Sequence, residues 1–163
     1  MSRFAAAARG FTFIEIAVTL AIVSLMASAV LPLARLHAQR EKEHELRVAL
    51  RDIRTAIDRY KQAYDEGRIE KRSGESGYPP TLGALTDGVK DVKDIKNVQA
   101  GKLVFLRRIP RDPFAPDDLD DEATWAKRAY ASSRDRPAEG DDVFDVYSKS
   151  EGTGLNGRPY REW

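Results

Sequence analysis

Two different hydrophobic patterns follow each other in the N-terminal part of the chain. In residues 11–34 nearly every position is apolar or small, and no side chain from Ile16 to Ala34 is ionisable. About 20 helical residues cross a bilayer core of roughly 30 Å, so this run is long enough to span a membrane. Beyond Arg35 apolar residues recur at spacings of three and four, which predicts an amphipathic helix. Its apolar seam consists of Leu46, Leu50, Ile53, Ile57, Tyr60 and Tyr64. We therefore predict one helix from residue 11 to about residue 65.

The segment after this helix is predicted to be largely irregular. Residues 67–77 are polar and rich in glycine, which ends the helix. Thr81 follows two prolines and is placed to cap a short helix. For residues 87–101, where apolar residues recur at every third position, we expect a loop with a helical turn.

Short strands are predicted in the C-terminal third. Residues 128–131 and 143–147 carry the aromatic and β-branched residues typical of strands. The acidic run at residues 117–122 lacks the glycine and terminal glutamate of an EF-hand loop, so we expect a solvated loop that leads into a helical turn at residues 123–127. The predicted fold is α+β: a long N-terminal α-helix, transmembrane in its first half and amphipathic in its second, packs on a small C-terminal antiparallel β-sheet domain of two or three strands.

Composition disfavours several function classes. Charged residues make up 33% of the chain, but the formal net charge is only +1, which argues against nucleic-acid binding through a broad basic field. The absence of cysteine excludes disulfides and thiolate chemistry. His37 and His44 are seven residues apart, which does not suit a metal pair, and we expect both to be solvated. No catalytic or cofactor-binding motif is present, so we predict that the protein is not an enzyme.

The N-terminus favours a retained membrane anchor over a removed secretory signal. Residues 1–10 contain Arg3 and Arg9 and no acid, which predicts that this end stays cytoplasmic. An ordinary signal has a shorter apolar region and a small-residue cleavage site, for which Ala27-Ser28-Ala29 is the alternative candidate. Glu15 argues against it, because an acid at the membrane is by default functional.

The segment Arg9-Gly10-Phe11-Thr12-Phe13-Ile14-Glu15 resembles the class III signal of type IV pilins and type II secretion pseudopilins, with Phe13 where leucine is commoner. The resemblance implies that prepilin peptidase cleaves after Gly10 and that Phe11 is N-methylated. It further implies that Glu15 pairs with the Phe11 amine of a neighbouring subunit during assembly. Residues 1–10 are then a cleaved leader, residues 11–34 the transmembrane and assembly helix, and residues 35–163 a periplasmic pilin-like domain.

Three further segments resemble the G-type, or major, pseudopilin of type II secretion. They are Tyr78-Pro79 followed by leucines, Leu106-x-x-x-Pro110-x-Asp112-Pro113-Phe114, and Asp145-Val-Tyr-Ser148 followed by Gly152-Thr-Gly154. We interpret the Asp112 segment itself as a rigid structural turn. The resemblance implies a homo-oligomeric helical filament in the periplasm that helps to drive protein export. Its partners would be prepilin peptidase, other pseudopilins, the inner-membrane secretion platform and membrane lipid.

Two alternatives remain open at this point: a type IV pilus subunit and a monomeric membrane-anchored periplasmic binding module. Many pilins of the first kind close a C-terminal loop with a disulfide, so the absence of cysteine favours the secretion branch.

The C-terminal loop raises the question of a calcium ion. In G-type pseudopilins this loop binds calcium through backbone carbonyls and two aspartates, and residues 148–157 have no such aspartate pair. Oxygen ligands for a hard cation remain at Ser148, Ser150, Glu151, Asn156 and Glu162. The alternatives are a calcium site and a loop held by hydrogen bonds alone, so no cofactor is certain.

Two further features of the predicted long helix are Pro32 and a group of basic residues. Proline removes a helical hydrogen bond, so Pro32 predicts a kink. It also resembles the proline around which pilin helices lose regular structure in the filament. Finally, Arg35, Arg40, Lys42 and Arg47 are candidates to receive acids of neighbouring subunits.

Overall fold

The structure is a computed structural model that describes residues 10–93, 101–133 and 135–163. Helix α1 spans Phe13–Asp65, and helix α2 spans Gly83–Asp87. The strands are β1 (Val89–Lys90), β2 (Lys102–Leu103), β3 (Trp125–Arg128) and β4 (Asp145–Ser148). Short 3₁₀ helices lie at Glu122–Thr124 and Tyr160–Glu162. The chain divides into two units, one that ends at Arg40 and one that comprises Glu41–Trp163.

The predicted long helix is confirmed, and both of its ends have a physical cause. The Thr12 carbonyl accepts the first helical hydrogen bond, from the Ile16 N–H. At the other end Gly67 has a φ of 72°, its N–H donates to the Tyr64 carbonyl, and the Arg68 N–H donates to the Ala63 carbonyl. This pair of bonds is a Schellman motif, in which glycine adopts the left-handed conformation that other residues avoid.

The hydrophobic core of the second unit is built on the apolar seam of α1. All six predicted seam residues are buried, and Leu46 and Ile53 are completely inaccessible to solvent. Trp125 of β3, Val146 of β4 and Leu85 of α2 belong to the same cluster. Full burial of an aliphatic side chain of this size contributes about 1.5–3 kcal/mol. The seam therefore holds the C-terminal segments together.

The fold is α+β as predicted, but its strands form two separate sheets in the described part of the chain. β1 pairs antiparallel with β2, and Val89 faces Leu103. β3 pairs antiparallel with β4, and Trp125 faces Ser148 while Arg128 faces Asp145. The predicted small antiparallel sheet is therefore present as the β3–β4 pair, and the β1–β2 pair is an additional sheet that was not predicted.

Several predicted element boundaries also need correction. The loop predicted at residues 87–101 contains a strand instead, at Val89–Lys90. Residues 94–100 of that prediction lie outside the described part of the chain. The strand predicted at residues 128–131 lies three residues earlier, since the chain turns at Ser132, whose N–H donates to the Ala129 carbonyl.

The second predicted strand, at residues 143–147, begins later than expected. The Val143 N–H donates to the Pro79 carbonyl instead of to a strand partner, so β4 starts at Asp145. The helical turn predicted at residues 123–127 is only the 3₁₀ turn Glu122–Thr124, because Trp125 already pairs with Ser148.

Candidate functional site

The N-terminal apolar segment is exposed in the single chain. Phe11 and Phe13 are 77% and 89% exposed. An 18-residue window of α1 has a mean hydropathy of 2.3 and no part of it is buried. One helix near the N-terminus is therefore long and apolar enough to cross a membrane. An apolar surface of this size is expected to be covered by lipid or by other protein.

Hydroxyl groups within this segment are satisfied locally. Thr19 donates to the Ile16 carbonyl, Ser24 to the Leu20 carbonyl and Ser28 to the Leu25 carbonyl, at 2.7–2.9 Å. These bonds keep the polar groups paired inside the helix, which an apolar environment requires.

Pro32 also lies in α1, which continues on both sides of it. The kink and the loss of helical structure at Pro32 remain predictions.

The predicted cleavage site lies at the open end of α1. Gly10 and Phe11 both precede the helix and are exposed. Apart from the chain neighbours of Gly10, no atom of the described residues lies within 4 Å of the position that its Cβ would occupy. Arg3 and Arg9 of the predicted leader lie outside the described residues.

Thr12 and Glu15 form a helix-capping pair that the sequence analysis missed. The Glu15 N–H donates to Thr12 Oγ1 at 3.3 Å, so Thr12 caps the first turn of α1. The signal was present in the sequence, because Thr-x-x-Glu is the capping-box pattern. The Glu15 carboxylate lies in the first turn, where it also complements the helix dipole. Glu15 therefore has a local role in addition to the predicted assembly role.

The predicted turn around Asp112 is confirmed. Asp112 is 1% exposed; its Oδ1 accepts from the Phe114 N–H at 2.8 Å, and its Oδ2 accepts from the Ser148 hydroxyl at 2.5 Å. The Trp125 indole donates to the Pro110 carbonyl at 2.8 Å. The Phe114 ring stacks on Tyr160 with 4.2 Å between ring centres. The turn thus joins β3, β4 and the C-terminal loop.

The oxygens predicted as calcium ligands accept hydrogen bonds within the loop. Ser148 Oγ accepts from the Ser150 N–H, Ser150 Oγ from the Gly152 N–H, and Asn156 Oδ1 from the Arg158 N–H, at 3.0–3.3 Å. Glu151 is exposed. The described residues contain no group of three or more histidine, cysteine or acidic side chains that could hold a metal ion. These bonds account for the loop's shape, while calcium binding stays a prediction.

Glu43 is a buried anchor for the C-terminal loop that the sequence analysis also missed. It is 3% exposed, and its Oε1 accepts from the Leu155 N–H at 2.8 Å and from the Tyr160 hydroxyl at 3.2 Å. Its Oε2 lies 3.6 Å from the Arg47 guanidinium. The seam spacing contained the signal, because Glu43 lies three residues before Leu46 and hence on the buried side of α1.

A second anchor is Arg54. Its Nε lies 2.8 Å from Asp145 Oδ1, and its terminal nitrogen donates to the carbonyls of Val146 and Trp163 at 3.1 and 2.7 Å. Arg128 contacts the other Asp145 oxygen at 3.3 Å. Arg54 therefore ties β4 and the C-terminal residue to α1.

The basic and histidine residues singled out in the sequence have different environments. Arg35, His37, Arg40 and His44 are exposed. The Lys42 ammonium lies 5.8 Å from the Phe114 ring centre, and the Arg47 guanidinium lies 4.3 Å from the Trp163 ring centre. Lys42 and Arg47 thus contact the C-terminal segments of their own chain.

A cavity of about 1,180 Å³ lies in the second unit. Tyr60, Tyr64, Tyr78 and Tyr130 line it, together with acids that include Glu70, Glu75 and Glu139. Burial, and to a lesser degree the Glu75 carboxylate, raises the pKa of Tyr60 above its usual value of 10.0. A neutral phenol at this position therefore suits the folded state.

No protein-family model, no curated protein and no solved structure matches the chain. The fold defines an α+β protein whose N-terminal helix is long and apolar enough to cross a membrane.

Proposed function

We propose that the protein is a structural subunit of a type II secretion pseudopilus, of the G-type or major kind. In this proposal it assembles through α1 into a periplasmic filament that helps to drive protein export across the outer membrane. It has no catalytic role and contacts no nucleic acid. It is anchored in the inner membrane by a single span, with the N-terminus cytoplasmic before processing and a pilin-like C-terminal domain in the periplasm.

Residues 10–15 at the start of an exposed apolar helix carry this proposal. Gly10 and Phe11 are open to a protease, and Glu15 is the only ionisable side chain from Phe11 to Ala34. Removal of residues 1–10 would leave the whole apolar segment in the mature chain. The same segment can then hold the monomer in lipid and pack with other copies in a filament.

The charge of Glu15 fixes the axial position of each subunit relative to its neighbour in the proposed filament. Packing between apolar side chains such as Val18, Ile22 and Val23 does not fix how far one helix is shifted along its neighbour, since any apolar side chain can fill the contact. A carboxylate that moves into a dry bundle costs several kcal/mol unless an opposite charge meets it. The Phe11 amine of a neighbouring subunit supplies that charge in only one register.

The test is reconstitution of the full chain with a secretion system that includes prepilin peptidase. Electron microscopy of sheared cells should reveal thin filaments that antibodies to the protein label along their whole length. Deletion of the peptidase should abolish these filaments. Unlabelled filaments, or filaments that persist without the peptidase, would contradict the proposal.

A monomeric membrane-anchored binding module remains the second candidate, and the cavity lined by Tyr60, Tyr64, Tyr78 and Tyr130 favours it. Such a module would remain monomeric in the membrane. Cross-linking in intact membranes separates the two, because a filament subunit yields a ladder of oligomers and a monomeric module does not.

A further inference from the structure

A basic cleft of about 490 Å³ lies between α1 and the C-terminal loop. Its lining includes four arginines and two acids, namely Arg47, Arg51, Arg54, Arg158, Asp58 and Glu162. The side chain of Trp163 forms part of the wall and lies against the Arg47 guanidinium. Arginines therefore outnumber acids in the lining of this cleft.

The guanidinium groups of two of these arginines have no ion-pair partner among the described residues. Arg54 is held by Asp145, and Arg47 lies between Glu43 and Trp163. Arg51 and Arg158 are exposed, and the described part of the chain supplies no ion pair to either guanidinium. A guanidinium fork matches a carboxylate with two parallel hydrogen bonds, so the cleft suits carboxylates.

The same chain presents a complementary surface, the acidic loop at residues 117–122. Its last two acids are occupied, since Asp121 lies 3.7 Å from Arg111 and Glu122 lies 3.2 Å from Lys127. The Asp117, Asp118 and Asp120 side chains are exposed, and the described residues offer them no basic partner.

The acidic loop is held in shape by Arg111. The Arg111 guanidinium donates to the carbonyls of Pro116 and Leu119, which fixes the loop on both sides of Asp117 and Asp118. A surface that is already ordered loses less entropy when it binds. The loop therefore presents three carboxylates on a fixed backbone.

We propose that the acidic loop of one copy docks in the basic cleft of the next copy. The inference rests on the proposed filament, which it deepens by naming a contact between the C-terminal domains. The acidic loop and the cleft share no residue. One copy can therefore use both surfaces at once, and a head-to-tail arrangement of this contact repeats along a filament. It adds a second specific pairing to the one between Glu15 and Phe11.

Cysteine cross-linking of the full chain in membranes tests the contact, and the absence of native cysteine makes the background clean. A chain that carries both Arg51→Cys and Asp118→Cys should form a ladder of dimers and higher oligomers on mild oxidation. Either substitution alone should not form a ladder. The matched control is Arg59→Cys with Asp118→Cys, because Arg59 lines a different groove with Phe105 and Leu106.

Charge reversal in the double-cysteine chain then tests the physical basis. Arg158→Glu or Asp120→Arg should each reduce the ladder about tenfold, because like charges then face each other. The two reversals together should restore it. Reversal of Asp135, an exposed acid in another loop, should leave it unchanged.

The outcomes separate this contact from the proposed function. The parent chain could form labelled filaments while the chain that carries Arg51→Cys and Asp118→Cys gives no ladder. That result would overturn the contact and leave the pseudopilin proposal standing. A ladder that persists unchanged after either reversal would also overturn it. A ladder without filaments would support the contact and contradict the filament function, and the absence of both would overturn both.

Discussion

Replacement of Glu15 separates the two roles that the structure and the sequence give to this residue. Glu15 lies in the first turn of α1 and its N–H bonds to Thr12, so part of its effect can be helix capping. The proposed role is different: its carboxylate pairs with the Phe11 amine of a neighbouring subunit. Gln at the third helical position serves a capping box as well as Glu does, but it carries no charge. Glu15→Gln therefore keeps the cap and removes the ion pair.

The size of the charge effect follows from Coulomb's law. Phe11, Phe13 and Ile14 are at least two-thirds exposed in the single chain, and assembly would cover them and leave Glu15 in drier surroundings. Two unit charges 4 Å apart at an effective dielectric constant of 20 attract by about 4 kcal/mol. A loss of this size lowers the equilibrium constant for adding a subunit roughly a thousandfold.

The assay is the filament yield from cells that contain equal amounts of processed protein. Glu15→Val and Glu15→Gln should both lose filaments and secretion, and Glu15→Asp, which has a shorter reach, should be intermediate. Membrane insertion and peptidase cleavage should stay largely intact in all three.

Thr12→Val is the matched control, because it removes the capping hydroxyl and keeps the Glu15 charge. It should cost only about 1 kcal/mol of helix stability and still assemble. Two results would refute the ion-pair explanation and leave Glu15 as a capping residue. Glu15→Gln could form as many filaments as the parent, or Thr12→Val could lose filaments while Glu15→Gln keeps them.

Three further predictions concern the C-terminal domain. Glu43→Ala should lower the free energy of unfolding by about 1–3 kcal/mol, because the Leu155 N–H and the Tyr160 hydroxyl lose their acceptor. Urea titrations measure this change; Glu43→Gln should lose less free energy of unfolding, and the exposed control Glu45→Ala should match the parent. If the loop at residues 148–157 binds calcium, a chelator should lower the melting temperature of the purified full chain, since binding to the folded state alone stabilises it. An unchanged melting temperature would mean that hydrogen bonds hold the loop without calcium. The raised pKa of Tyr60 means that the neutral phenol stabilises the fold, so this stability is complete below pH 10 and is lost as the pH rises through the folded-state pKa. Unfolding measured across that range should show a shallower alkaline loss for Tyr60→Phe, and an identical loss in parent and variant would show that Tyr60 does not titrate as described.

Local patterns predicted the helix and its core, because one periodicity governs both. The seam from Leu46 to Tyr64 repeats every three or four residues, and each of its members is buried. The glycines after Asp65 predicted the helix end because Gly67 adopts a backbone conformation that most residues avoid. The turn at Asp112 was predictable since its hydrogen bond to the Phe114 N–H is local.

The strand boundaries were not predictable in the same way, because they depend on partners far along the chain. Val143 has the side chain of a strand residue, but Pro79 takes its N–H. The local pattern predicts a helical turn at Trp125, but its pairing with Ser148 and its buried ring place it in a strand. Likewise, Arg54 meets Asp145 across 91 positions, a contact that no spacing rule indicates.

The N-terminus of the membrane-extracted protein tests the central claim most directly. Intact-mass and N-terminal peptide mass spectrometry should find a chain that begins at Phe11 and carries one added methyl group on its amine. That result would show that the peptidase removes the leader and that the apolar segment of α1 stays in the mature protein. A chain that begins at Met1, or one cleaved after Ala29, would contradict the claim that this protein is processed as a filament subunit.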